Sequence, residues 1–216
     1  MSNGSSFGHK VYRIGLSGDV EYGLLPGLLS RLRQEAPGAT FIVRRLEQDQ
    51  VIAHLRSGEI SVGLGYSKEM PHDAHRIYLR SLRLKLIRSD RCPHEVELDE
   101  YCHRPHAQVL YSGDVSAYID SELERLGRSR RIDISLSQFS SLPLLMANTD
   151  LLATVPDYVA DSLVASGGLR VQPLPLKLPT IELSMSWDQS CDEMPQQQWL
   201  RSRLKMLLQD LDDDAR

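Results

Sequence analysis

The stretch Val11-Tyr12-Arg13-Ile14-Gly15-Leu16-Ser17 decides the fold, because an apolar strand pattern ends there in a small polar residue. Gly18 and Asp19 are predicted to form a short loop before the first helix. Strand and helix patterns then alternate along the chain, with strands over 11–17, 40–46 and 60–66 and helices over 24–36 and 48–57. Short connections between alternating strands and helices predict parallel strand pairing with right-handed crossovers.

A second set of alternating segments follows. Strand patterns occupy 107–111, 132–136, 150–155 and 169–174, and helix patterns occupy 115–126, 138–147 and 156–163. Two longer strand patterns, 77–88 and 180–187, flank this set, and a final helix is predicted over 196–211. The arrangement predicts an α/β protein of two subdomains that are joined by two passes of the chain, with a cleft between them.

The predicted boundaries follow from the two flanking strands. Residues 1–10 are polar and small and are expected to be a flexible leader or a remnant of cloning. Residues 11–88 together with 180–216 form the first predicted subdomain, and residues 89–179 form the second.

Composition excludes several classes of protein. The 216 residues are 41% hydrophobic and 25% charged, which is an ordinary globular composition. The net charge of −4 argues against a dense basic surface for nucleic acid. The sequence has neither an apolar run of about 20 residues nor the apolar core of a signal peptide. With three cysteines, which cannot all pair, these features favour the cytoplasm.

Candidate ligand contacts lie where strands end and helices begin, since ligands of parallel α/β sheets bind outside the carboxyl ends of the strands. Helix N-termini and hydroxyl groups favour a carboxylate, and aromatic side chains suit an aromatic ligand. The predicted contacts are Ser17, Gly18, Asp19, Tyr66, Ser67, Tyr111, Gln138, Phe139, Ser140 and Thr154. The alternative is that the serines only cap helices. Asp19 would repel an anion, so it either caps the first helix or selects a ligand that carries a donor.

Neither a metal site nor a catalytic site is predicted. Potential metal ligands occur at Cys92, His94, Cys102, His103 and His106, but their spacing matches no strong zinc-finger pattern. A loop and a short helix are expected there instead. The sequence lacks a nucleophile elbow, a P-loop and a dinucleotide-binding glycine motif, so neither a catalytic residue nor a cofactor is assigned.

Several of these segments, in this order, resemble the effector-binding domain of LysR-type transcriptional regulators. The similar segments are Tyr12-Arg13-Ile14-Gly15-Leu16-Ser17, Leu24-Leu25-Pro26, the run from Leu32 to Gly38, the run from Leu55 to Gly65 and Asp150-Leu151-Leu152-Ala153-Thr154-Val155-Pro156. Ser61 stands where the family often has Asp. The resemblance extends from residue 11 to about residue 208.

The resemblance implies two Rossmann-like subdomains of the periplasmic-binding-protein type, joined by two crossover strands, with a small-molecule effector in the cleft between them. It also implies a non-enzymatic homodimer or tetramer that contacts DNA only through an N-terminal helix-turn-helix, and that part is expected to be absent because the first strand begins at Val11. A transporter's solute receptor and a small cytoplasmic enzyme with a two-lobed cleft are the alternative functions.

Overall fold

A computed structural model of the chain describes residues 10–66, 70–110 and 115–213. These residues form ten strands: β1 Val11–Leu16, β2 Thr40–Arg45, β3 Val62–Gly65, β4 Ala74–Leu82, β5 Leu84–Ser89, β6 Pro105–Val109, β7 Arg131–Leu136, β8 Ala153–Pro156, β9 Leu169–Pro173 and β10 Ile181–Asp188. The same residues form eight α-helices: α1 Gly18–Gly23, α2 Leu25–Glu35, α3 Val51–Arg56, α4 Leu98–His103, α5 Val115–Arg125, α6 Leu142–Met146, α7 Asp157–Val164 and α8 Pro195–Asp213. None of these helices combines the length and apolarity that crossing a membrane requires.

The chain divides into two compact units. Unit 1 consists of Met1–Ser17, Leu25–Arg80 and Leu183–Arg216, and unit 2 consists of Gly18–Leu24 and Ser81–Glu182. The sequence-based division places 18–24, 81–88 and 180–182 in the first subdomain, whereas all three segments belong to unit 2. The predicted leader lies outside the described residues, except for Lys10.

Unit 1 is built on a five-stranded sheet in the order β2-β1-β3-β10-β4. The predicted parallel pairing is confirmed, because β1 pairs in parallel with both β2 and β3, while β10 runs antiparallel to β3. A Cβ atom at Gly15 would lie 2.7 Å from Ile60 Cδ1 and 2.8 Å from Leu46 Cδ1. Glycine at this position of β1 therefore lets the buried cluster of Leu46, Leu55 and Ile60 pack directly against the sheet.

Unit 2 contains two smaller sheets. In the first, β5 lies between β8 and β9 and pairs antiparallel with both. In the second, β6 pairs in parallel with β7, and His106 forms a further parallel bridge to Leu152 just before β8. Parallel strands thus meet in this unit as well, so the carboxyl ends of β6 and β7 lie at one edge.

Two local predictions are wrong. The single strand expected over 77–88 is two strands, β4 and β5, which belong to different sheets. The break falls at Arg83, whose carbonyl oxygen accepts a hydrogen bond from the Asp157 N–H at 2.8 Å instead of joining a strand ladder. Gly18 and Asp19 are not a loop but the first turn of α1.

Candidate functional site

The strongest candidate site lies at the carboxyl ends of β1 and β3 in unit 1. Ser17 directly follows β1 and Tyr66 directly follows β3. Because these strands are parallel neighbours, both residues lie at the same edge of the sheet, and the Ser17 N–H donates to the Leu64 carbonyl at 3.1 Å. Both side chains are buried, with 3% of Ser17 and 5% of Tyr66 exposed. The structure thus brings together two of the predicted contacts.

The hydroxyl of Ser17 has an unusual environment. Its Oγ is fully buried and has no hydrogen-bond partner among the residues that the structure describes. A buried hydroxyl that lacks a partner costs about 1–3 kcal/mol, so most such groups are bonded to protein, water or ligand. Ser17 therefore offers a donor and an acceptor to a bound molecule at this edge.

Gly18 and Asp19 lie in unit 2, in α1. The Asp19 carboxylate is completely buried and accepts a hydrogen bond from the Tyr158 hydroxyl of α7. The two helices are also very close at Gly23, where a Cβ atom would lie 2.6 Å from Tyr158 Cδ2. Asp19 therefore holds α1 against α7, a role that sequence reasoning missed because Tyr158 is distant in the chain.

The predicted contacts at 138–140 differ in their exposure. Phe139 begins a short 3₁₀ helix, Phe139–Ser141, and its buried ring lies 5.7 Å from the ring of Tyr22. Gln138, at the cap position, and Ser140 are both exposed. Phe139 thus contributes to the core of unit 2, while its two polar neighbours remain accessible.

Thr154 belongs to a hydrogen-bonded network within unit 2. Its Oγ1 lies 2.9 Å from the hydroxyl oxygen of Tyr101, and the Tyr101 carbonyl accepts a bond from His106 Nε2 at 2.7 Å. The rings of Tyr101 and His106 meet edge-on at 4.5 Å. Burial raises the pKa of Tyr101 and lowers the pKa of His106 to about 4, so both side chains are neutral at pH 7.

The remaining two predicted contacts, Ser67 and Tyr111, lie outside the described residues.

The cysteine and histidine residues of 92–106 separate into two groups. Cys92 and His94 lie together, and Glu100 joins them, with its carboxylate 3.0 Å from His94 Nε2. Although burial acts in the opposite direction, hydrogen bonds from Arg104 and His94 hold the pKa of Glu100 below its ordinary value. Two histidines point elsewhere: His103 Nδ1 bonds to the Asp99 carbonyl, and His106 is buried. The predicted short helix of this region is α4.

Comparison with known families decides what kind of domain this is. Residues 8–209 match the family described as LysR substrate binding domain. The chain belongs to this family. Proteins of this family are transcriptional regulators and not enzymes. The LysR substrate-binding domain is the part of such a regulator that binds the small-molecule effector.

Similar proteins support this assignment. The regulatory domain of MexT, a transcriptional activator in Pseudomonas aeruginosa, is 49% identical with a TM-score of 0.86, and the match covers 91% of this chain and 99% of that domain. The transcriptional activators NahR of Pseudomonas putida and NagR of a Ralstonia species are each 25% identical over 93% and 89% of this chain. The chain spans 68% and 65% of their lengths. CbnR, a LysR family regulator with 14% identity and a TM-score of 0.71, shares the fold.

These findings confirm the predicted fold and family. LysR regulatory domains have the two-subdomain fold of the periplasmic-binding-protein type that the sequence resemblance implies. LysR-type regulators bind small-molecule effectors and DNA. Of the three functions considered from sequence, the comparisons therefore select the regulatory domain.

Proposed function

We propose that this LysR domain senses its effector through the edge of unit 1 at which β1 and β3 end, with the Ser17 hydroxyl as a direct hydrogen-bond partner. The observation that carries the proposal is the buried Ser17 Oγ, for which the described part of the chain supplies no partner. A ligand that bonds to this group recovers the interaction that the folded protein alone leaves unmade.

The effector is proposed to be a small carboxylate or an aromatic compound. The helices at the predicted contacts are short, six residues in α1 and three in the 3₁₀ helix at Phe139, so helix dipoles add little. Hydroxyl donors such as Ser17 are then the main groups available to a carboxylate. Tyr66, at the same edge, provides a ring for an aromatic portion of the ligand.

The predicted contacts of unit 2 are proposed to contribute unequally. Gln138 and Ser140 are exposed, so their polar groups can meet a ligand. Asp19 and Thr154 already take part in hydrogen bonds with Tyr158 and Tyr101. We therefore expect substitutions at Gln138 and Ser140 to affect effector binding more than substitution at Thr154.

The properties of the whole regulator are also proposed. NahR and NagR are named as helix-turn-helix activators, and this chain covers only about two thirds of them. We propose that the full-length protein binds DNA through a further helix-turn-helix domain, works in the cytoplasm and assembles as a homodimer or tetramer. Effector binding would then change how the two operator half-sites are held.

A thermal-shift screen of carboxylates, aromatic compounds and amino acids tests the proposal. A true effector at 100 times its Kd stabilises the folded chain by about 2.7 kcal/mol. Ser17→Ala, with a Kd about tenfold weaker, should reduce this gain to about 1.4 kcal/mol at the same ligand concentration. Ser186→Ala is a matched control, because Ser186 is also buried in the sheet of unit 1 but its Oγ bonds to the Gly63 carbonyl at 3.4 Å. A full stabilisation that persists in Ser17→Ala would refute the proposed site, and a screen without a stabilising carboxylate or aromatic compound would refute the proposed ligand class.

A further inference from the structure

A second cluster of ligand-type side chains lies in unit 2, between the end of β5 and the start of α4. Cys92, His94 and Glu100 place a sulfur, an imidazole nitrogen and a carboxylate oxygen within 4.8 Å of one another. The Cys92 N–H donates to the Ser89 carbonyl at 3.2 Å, and this bond fixes the turn that carries the thiol. Glu100 is fixed by its place in the first turn of α4. Cys92 and Glu100 are therefore positioned by backbone structure, and His94 lies in the segment between them.

We propose that Cys92, His94 and Glu100 form a binding site for a divalent transition-metal ion of the zinc type. Thiolate, imidazole and carboxylate are the three side-chain ligands that zinc uses in proteins. A set of three such ligands leaves a fourth position for water or another small ligand.

The distances agree with tetrahedral coordination. Zinc–ligand bonds of about 2.3 Å to sulfur and about 2.0–2.2 Å to nitrogen and oxygen imply separations of roughly 3.6 Å for sulfur to nitrogen and roughly 3.4 Å for nitrogen to oxygen. Cys92 Sγ lies 3.8 Å from His94 Nε2, and His94 Nε2 lies 3.0 Å from Glu100 Oε2. The third pair, Cys92 Sγ and the Glu100 carboxylate, lies within 4.8 Å, so side-chain rotation without a change of the backbone can bring all three atoms to one ion.

Charge also fits a divalent cation. A thiolate at Cys92 and a carboxylate at Glu100 together neutralise it. Arg104 competes for both ligands, because its Nη1 lies 2.9 Å from Glu100 Oε1 and 3.5 Å from Cys92 Sγ. The same guanidinium is anchored separately, since Nε and Nη2 donate to the Asp150 carbonyl at 2.8 and 2.6 Å. An ion can therefore replace the Nη1 contacts without releasing Arg104.

The site has room for an external ligand. The cluster lines an open cavity of about 500 Å³, whose wall also includes Thr149 and Asp150. Cys92 and Glu100 are half-buried and His94 is exposed, so an ion can enter without unfolding of unit 2. Among the described residues, this is the one group of three or more metal-ligating side chains that comes together in this way.

Titration of the purified 216-residue chain with Co²⁺ tests the proposal, because thiolate coordination gives a charge-transfer absorption band and tetrahedral geometry gives intense visible bands. Both should appear at one equivalent and be displaced by Zn²⁺. Cys92→Ser should abolish the charge-transfer band. His94→Ala and Glu100→Gln should each weaken binding by at least about tenfold, since even outer-shell partners typically contribute about 10- to 100-fold.

Cys102→Ser and Cys191→Ser are the matched controls, because both thiols are half-buried like Cys92 but lie outside the cluster. Both controls should keep the band. Thermal stabilisation by Zn²⁺ in the unmodified chain and not in Glu100→Gln gives a second readout. The proposal is overturned if Co²⁺ gives no thiolate band, if the band survives in Cys92→Ser, or if either control loses it.

Discussion

Ser17 in unit 1 and Thr154 in unit 2 are alike in sequence but differ in the structure. Each is a hydroxyl residue at or near the carboxyl end of an apolar strand, and each is predicted to contact the effector. The Thr154 hydroxyl is bonded to Tyr101, at 2.9 Å. The Ser17 hydroxyl is more deeply buried, yet no atom in the described ranges bonds to it.

The difference teaches how a strand-end hydroxyl should be interpreted. In unit 2 the hydroxyl completes a network with Tyr101 and His106, so it stabilises the fold. In unit 1 the hydroxyl contributes no hydrogen bond to the described part of the fold, so it is available to a ligand. Substitutions in the unit 2 network should therefore lower the stability of the fold, whereas substitution of Ser17 should weaken effector binding.

Acid should weaken unit 2 through His106. Its pKa is about 4 in the folded chain against 6.5 for an ordinary histidine, so the unfolded chain binds a proton first as the pH falls. The free energy of unfolding is therefore highest above pH 6.5 with respect to His106. It should fall by roughly 3 kcal/mol as the pH drops from 6.5 to 4. Chemical denaturation at a series of pH values measures the loss.

His106→Gln should flatten this part of the pH profile. His72→Gln, which replaces an exposed histidine, should leave the loss that depends on His106 in place. If His106→Gln retains the full dependence between pH 6.5 and 4, the buried neutral histidine is not its cause.

Tyr158→Phe should lower the free energy of unfolding by about 1.5–3 kcal/mol, because it removes a donor from the buried Asp19 carboxylate. Asp19 lies only two residues after Ser17. This variant therefore tests whether Asp19 stabilises the fold while its neighbour Ser17 binds the ligand. Tyr78→Phe, at an exposed tyrosine, is the control and should change stability by less than about 0.5 kcal/mol. Equal effects of the two variants would contradict the assigned role of Asp19.

Tyr101→Phe should cost about 1 kcal/mol, since it breaks the bond from the buried Tyr101 to the half-buried Thr154. Adding Thr154→Val should cost less in the Tyr101→Phe background than in the unmodified chain, because the bond is already lost. A double-mutant cycle by urea denaturation measures the coupling. Additive effects would show that the Tyr101–Thr154 bond does not stabilise unit 2.

Much of the fold was predictable because its signals are local. The apolar patterns at 11–17, 40–46 and 60–66 led to the correct parallel pairing of β1 with β2 and β3. The break at Arg83 was missed, since its cause is a hydrogen bond from Asp157, which is 74 positions later in the chain. The leucine and arginine alternation of 77–88 continues through the break and gives no sign of it.

The candidate site was predictable only in part, for the same reason. The serine at the end of β1 is visible in sequence, but whether its hydroxyl has a partner depends on three-dimensional packing. No sequence pattern links Tyr101 to Thr154 or Tyr158 to Asp19, although each tyrosine hydroxyl forms a hydrogen bond with that partner. Glu100 was likewise missed as a neighbour of Cys92 and His94, because glutamate six residues after a histidine is not a metal motif.

The most direct test of the contrast is the Kd of an effector found in the screen, measured by calorimetry on Ser17→Ala and Thr154→Val. Our account predicts that Ser17→Ala weakens binding about tenfold, the equivalent of one hydrogen bond of about 1.4 kcal/mol. The same substitution should not lower the free energy of unfolding, because it removes a buried hydroxyl that has no partner in the described part of the chain. Thr154→Val should lower that free energy and leave the Kd within about twofold of the original value. The account is contradicted if Ser17→Ala binds the effector as tightly as the unmodified chain, or if Thr154→Val loses binding without losing stability.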